Sequence, residues 1–98
     1  MPDTDLGARL YLALSRHDLL ATYREHGGAE GGTADGPICV LEPRSLGALV
    51  RVLPGVSIST WTDTMWRAES YGHPSIITKQ PPEQAVARAL LLALGEEE

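Results

Sequence analysis

Val56-Ser57-Ile58-Ser59-Thr60-Trp61-Thr62-Asp63-Thr64-Met65-Trp66-Arg67-Ala68-Glu69-Ser70-Tyr71 is the stretch that decides the fold. Val56, Ile58 and Thr60 alternate with Ser57, Ser59 and Trp61, the two-residue period of a half-buried strand. Thr62-Asp63-Thr64-Met65 has the composition of a tight turn, and Trp66 to Tyr71 then returns as the partner strand. Gly72-His73-Pro74 makes a second turn, and Ser75 to Thr78 supplies a third short strand. The economical reading is a three-stranded antiparallel meander.

A meander has a face to bury, and the flanking sequence offers helices for it. On the C-terminal side, Pro81 and Pro82 suit a helix start, and Glu83 meets the positive end of its dipole. Ala85 to Leu94 is almost wholly helix-forming; Val86, Ala89, Leu90, Ala93 and Leu94 face one way, and Leu92 widens the stripe. Gly95 fits the left-handed position after the last turn. Glu96 to Glu98 then meet the negative end of the dipole, so an acidic frayed tail is expected there. On the N-terminal side, Pro43 opens a helix with Leu46, Leu49, Val50 and Leu53 on its apolar stripe, and Pro54-Gly55 stops it.

Further upstream the patterns weaken. Ile38-Cys39-Val40-Leu41 reads as a short strand or as part of a helix, and the residues leave both open. Residues 27 to 37, Gly-Gly-Ala-Glu-Gly-Gly-Thr-Ala-Asp-Gly-Pro, carry no large apolar side chain and read as a flexible connector. A phosphate cradle fails here, because no Lys-Ser/Thr pair follows and Glu30 and Asp35 would repel the anion. Before it, Asp3 or Thr4 can cap a helix bearing Leu6, Leu10, Ala13 and Leu14 on one face. Ser15-Arg16-His17-Asp18 has capping-box spacing, which allows a second helix from Arg16 to His26; one bent helix is the alternative.

The expected fold is therefore α+β: a small antiparallel sheet of three or four strands packed by helices, in the order α(α)-(β)α-β-β-β-α. One domain is expected over residues 1–95, with 96–98 as the tail. Ninety-eight residues suffice for one compact domain, and 43% hydrophobic residues are too many for a disordered chain.

Composition narrows the chemistry. Thirteen acids stand against eight bases, a net charge of −5, and the arginines are scattered singly, so direct nucleic-acid binding lacks its cluster of cations. The longest apolar run, Ala89 to Leu94, is far below the ~20 residues of a membrane span. No basic segment followed by an apolar one opens the chain, so a cytoplasmic location is expected. Cys39 stands alone between Ile38 and Val40, where apolar neighbours raise a thiol's pKa rather than lower it. His17, His26 and His73 show neither metal-ligand spacing nor proximity to Cys39, and Glu42 and Glu69 lack the context of an acid/base pair. No catalytic residue, metal site or cofactor is expected, and a Cys39/histidine enzyme is the remote reading.

The hairpin holds the strongest candidate site. With the turn at Thr62–Met65, Trp61 and Trp66 fall directly opposite each other, which by itself stabilises a hairpin. Trp, Tyr, Met and Arg are also the residues over-represented at protein interfaces. Trp61, Asp63, Met65, Trp66, Arg67 and Tyr71 are the candidate partner-binding residues.

The return strand opening Trp66-Arg67-Ala68, then Gly72, and the final Pro82-Glu83-Gln84-Ala85-Val86-Ala87-Arg88-Ala89-Leu90-Leu91 resemble small phage and prophage domains of the ABA-sandwich type, over about residues 43–94. That resemblance implies helices on either side of a small sheet and a mobile-element context, with no shared activity. The α-β-β-β-α order is also similar to that of double-stranded-RNA-binding domains. Those domains set lysines at the start of the last helix, where this chain has Gln80-Pro81-Pro82-Glu83, so the likeness does not extend to RNA binding. The expected role is a protein-binding module engaging a host or phage protein, such as a small inhibitor of a host defence or regulatory complex. The alternative is a structural or self-associating accessory subunit.

Overall fold

The meander forms where alternation placed it. In the computed structural model, which describes residues 2–96, β3 (Ser57–Thr62), β4 (Met65–Glu69) and β5 (Ile76–Thr78) make one antiparallel sheet in that order. Ile58, Ala68 and Ile76 line up across the three strands, and α4 (Pro82–Ala93) lies against their face. Ala68 is fully buried there, and Ile58 and Ile76 pack at its sides.

The last helix is more deeply placed than a one-sided stripe implies. Ala85, Val86, Ala87, Ala89, Leu90 and Leu91 are all buried, as are Glu83 and Gln84 in its first turn. The reason is position: α4 has the sheet on one side and α1 (Pro2–Arg16) with α3 (Leu46–Arg51) on the other. Small alanines on several faces permit this, because each lets a neighbour approach closely. The helix ends as expected at Gly95, with φ of 75°. The Gly95 N–H bonds Leu92 O at 3.1 Å and the Glu96 N–H bonds Leu91 O at 2.9 Å, the paired bonds of a Schellman cap.

Glu96 is consequently held and does not begin a frayed tail. Its carboxylate accepts from Arg16, which keeps its pKa below the ordinary carboxylate value, and lies 3.2 Å from His17 Nε2. The Arg16 and His17 side chains at the end of α1 thus tie the two helix C-termini together. Residues 97 and 98 of the expected tail lie outside the described residues.

The N-terminal region departs most from expectation. Two helices form: α1 and α2 (Leu20–Glu25). The break is at Asp18, whose φ of 59° is left-handed, a conformation aspartate tolerates better than most residues. Asp18 N–H to Ser15 O at 3.3 Å and Leu19 N–H to Leu14 O at 2.8 Å make another Schellman cap. Ser15 to Asp18 is therefore the end of one helix and not the capping box of the next; α2 starts after Leu19 with no side-chain cap. α1 itself begins at Pro2, ahead of the expected cap at Asp3 or Thr4, whose side chains lie outside the described residues.

Residues 27–37 are not a flexible connector. They contain β1 (Glu30–Thr33) and the start of β2 (Gly36–Cys39), an antiparallel hairpin turning at Ala34-Asp35. Ile38-Cys39 is thereby strand, while Pro43–Ser45 is a 3-10 turn leading into α3. This hairpin is a separate two-stranded sheet, so the meander stays at three strands. β2 packs on α1, and Gly7 is what allows it: a Cβ there would lie 2.2 Å from Cys39 O.

The buried side chains from α1, α2, β2, α3, β4 and α4 form a single cluster, with Leu10, Leu14, Tyr23, Leu49 and Leu90 fully enclosed. Helices cover one face of the meander only. The two-sided cover implied by the sandwich resemblance is not formed among the described residues, and the outer face of β3 and β4 stays open.

Candidate functional site

Strand alternation assigns the candidate residues to faces. Arg67 pairs with Ser59 on one side and Ile77 on the other, one step out of phase with the buried Ala68 row. Met65, Arg67 and Glu69 therefore share the outer face. Trp61 joins them through its ring: the Arg67 guanidinium carbon stands 5.3 Å from the Trp61 ring centroid, within cation–π range. Trp61 is 50% exposed and Ile77 40% exposed, so an apolar surface flanks the arginine on both sides.

Arg67 is fixed from its other end. Its Nε lies 3.1 Å from Glu69 Oε2, and its terminal nitrogen donates to Glu69 Oε1 at 3.2 Å. Ser75 Oγ accepts from Arg67 Nε at 3.4 Å. Residues two apart on a strand point the same way, which is why this ion pair runs along the face and does not cross the sheet. The result is a row, Trp61–Arg67–Glu69, in which the arginine is held between the indole face and the carboxylate.

The expected Trp61–Trp66 pair does not form. Trp66 sits opposite Thr60 and Thr78, and Thr62 opposite Met65, so a β-bulge at Thr60–Thr62 removes Trp61 from the ladder. A bulge gives one strand an extra residue and re-aims its side chain. Trp66 shares the helix-facing side with Ala68 and is half-buried, while Trp61 faces outward. The two indoles are split between the faces.

The other candidates divide similarly. Met65 is half-buried beside the turn, and Asp63 is exposed at its tip. Tyr71 is 89% exposed but lies beyond the far end of β4, against Gly55. At ~3.4 Å per extended residue it stands roughly 17 Å along the chain from Trp66, outside the Trp61 cluster. The structure thus brings together Trp61, Met65 and Arg67, with Asp63 at the rim, and sets Trp66 and Tyr71 apart. Glu69 and Ile77 belong to the same face and were not among the candidates. For Glu69 the two-residue spacing from Arg67 was a usable signal; for Ile77 only the strand pairing reveals it.

Cys39 is enclosed. It is 1% exposed, and burial pushes its thiol up to about 12. Tyr23 is likewise raised by burial and donates from its hydroxyl to Ala29 O at 2.6 Å. Ser45 completes the seal, accepting from the Ala29 N–H at 3.2 Å and donating to Val40 O at 2.9 Å. These are structural contacts that close the open end of the β1–β2 hairpin.

Among the described residues, no three His, Cys, Asp or Glu side chains gather as a metal ion would require, and no helix is long and apolar enough to cross a membrane. No protein-family model matches the chain, and neither a curated protein nor a solved structure matches it.

Proposed function

We propose that this chain is a non-enzymatic protein-binding module whose recognition surface is the open face of the β3–β4–β5 sheet. The observation that carries the reading is Trp61, half exposed on a face no helix covers and braced by the Arg67–Glu69 pair. Tryptophan and arginine are the side chains most often found to dominate binding energy, and bracing lowers the entropy lost when they are buried. The partner is a protein with an apolar contact patch in a basic surround, since a chain of net charge −5 is drawn to cations. A phage-type inhibitor that occupies the basic groove of a host defence or regulatory complex is the specific form of this role.

Affinity capture from host-cell lysate, with wild-type chain and a Trp61→Ala variant whose circular dichroism is unchanged, tests it. The expected result is a defined set of proteins held by the wild type, weakened by added salt and lost with Trp61→Ala. Retention of the same proteins by the folded variant, or recovery of nothing specific by either, sinks the reading.

A further inference from the structure

We infer that β3 is also a self-association edge, joining β3 of a second copy in antiparallel register about Ser59 to make one continuous sheet. β3 is the end strand of the sheet, six residues long against three for β5 at the other edge. All of it except Ile58 is exposed. One side of its backbone bonds β4, and among the described residues no further backbone bond reaches Ser57–Thr62 from outside the sheet. Such an edge is a template for another strand, and soluble proteins blunt it with Lys, Pro or an inward charge. Ser57-Ile58-Ser59-Thr60-Trp61-Thr62 contains none of these, and its one blunting feature is the bulge at Thr60–Thr62, which leaves Ser57 to Ser59 regular.

The occupant follows from self-complementarity. A two-fold axis at Ser59 sets Ser57 opposite the second copy's Trp61, Ile58 opposite its Thr60, and Ser59 opposite its Ser59. A large side chain meets a small one on the outer face, twice, and no charge meets a like charge although the chain as a whole is acidic. An axis at Thr60 would fall on the bulge, which spans Thr60 to Thr62. The axis at Ser59 keeps the regular part of the strand at the centre. Pairing uses the edge and leaves Arg67, Glu69 and Ile77 open but engages Trp61, which also carries the proposed partner surface; crosslinking and sedimentation of the chain alone, with no partner present, separate the two readings.

Opposed Cα atoms of an antiparallel pair are about 4.5–5.5 Å apart, within disulfide reach. Ser59→Cys is therefore expected to give an oxidised, disulfide-linked dimer about tenfold more readily than Thr62→Cys, which lies off the axis. Buried Cys39 contributes no background. Ser59→Lys sets two ammonium groups face to face and is expected to shift sedimentation from a concentration-dependent dimer to a monomer. Should the lysine variant fail to fold, the cysteine pair still decides. A wild-type chain that stays monomeric to high micromolar concentration overturns the inference. So does equal crosslinking of the two cysteine variants, or a dimer that survives Ser59→Lys.

Discussion

The molecule contains two antiparallel hairpins built on opposite plans. β1–β2 is made largely of glycine and small polar residues, and it is positioned by what closes around it: Gly7 beneath Cys39, Tyr23 and Ser45 across its open end, and an Arg24–Glu30 pair at its flank. β3–β4 is made of alternating β-favouring residues and forms its own pattern, with a helix on one face and open surface on the other. In the first hairpin the polar groups are consumed in holding the fold. In the second, the side chains with binding chemistry are left facing outward. The structural hairpin reaches the core through Cys39 alone and is held by contacts from around it; the candidate functional one forms by its own alternation and leaves Trp61 and Arg67 on its open face.

The sharpest way to break the comparison is at Gly7. Gly7→Ala forces a Cβ into the Cys39 carbonyl, backbone against backbone, and is expected to cost about 3 kcal/mol in urea unfolding. A wild-type midpoint would remove the close approach of α1 and β2 from the account. Next comes Ser45→Ala, which leaves the Ala29 N–H and the Val40 carbonyl without their partner in a buried setting. About 2 kcal/mol is expected from the two orphaned groups, read in the same experiment.

Alkaline pH sharpens the same contrast. The Cys39 thiol ordinarily titrates near 9.0 and is pushed up to about 12 in the fold. Below pH 9 both states keep the proton and stability is unaffected. Above it the unfolded chain ionises first, so stability falls by at most about 1.4 kcal/mol per pH unit. Cys39→Ala, compared with wild type at pH 8 and 10, removes the thiol's share of that slope; an unchanged slope would contradict it. The smallest effect on stability is expected at Trp61→Ala, below about 1 kcal/mol, because an exposed ring over Arg67 supports little of the fold.

The same division explains what was legible in the sequence. The meander and the last helix follow from local rules: alternation from Val56 to Trp61, a polar turn at Asp63-Thr64, and a run of helix formers closed by Gly95. The first hairpin does not, because Gly31 and Gly32 show no period, and their strand exists through pairing with Pro37 and Ile38 on the surface of α1. The break at Asp18 was hidden for a related reason: a serine and an acid at capping-box spacing can equally close a helix. Within the candidate site, residue types singled out the β3–β4 pair, yet the bulge decided which face each side chain takes. One extra residue separated Trp61 from Trp66, and nothing local in Thr60-Trp61-Thr62 announces it.

The most direct test sets the two hairpins against each other in one capture experiment. Wild-type chain, Trp61→Ala on the open face and Asp35→Ala at the exposed β1–β2 turn are compared, each confirmed folded. The proteins retained by the wild type are expected to stay with Asp35→Ala and to drop about tenfold or more with Trp61→Ala. Loss with Asp35→Ala, or full retention by Trp61→Ala, would contradict the assignment of recognition to the tryptophan face.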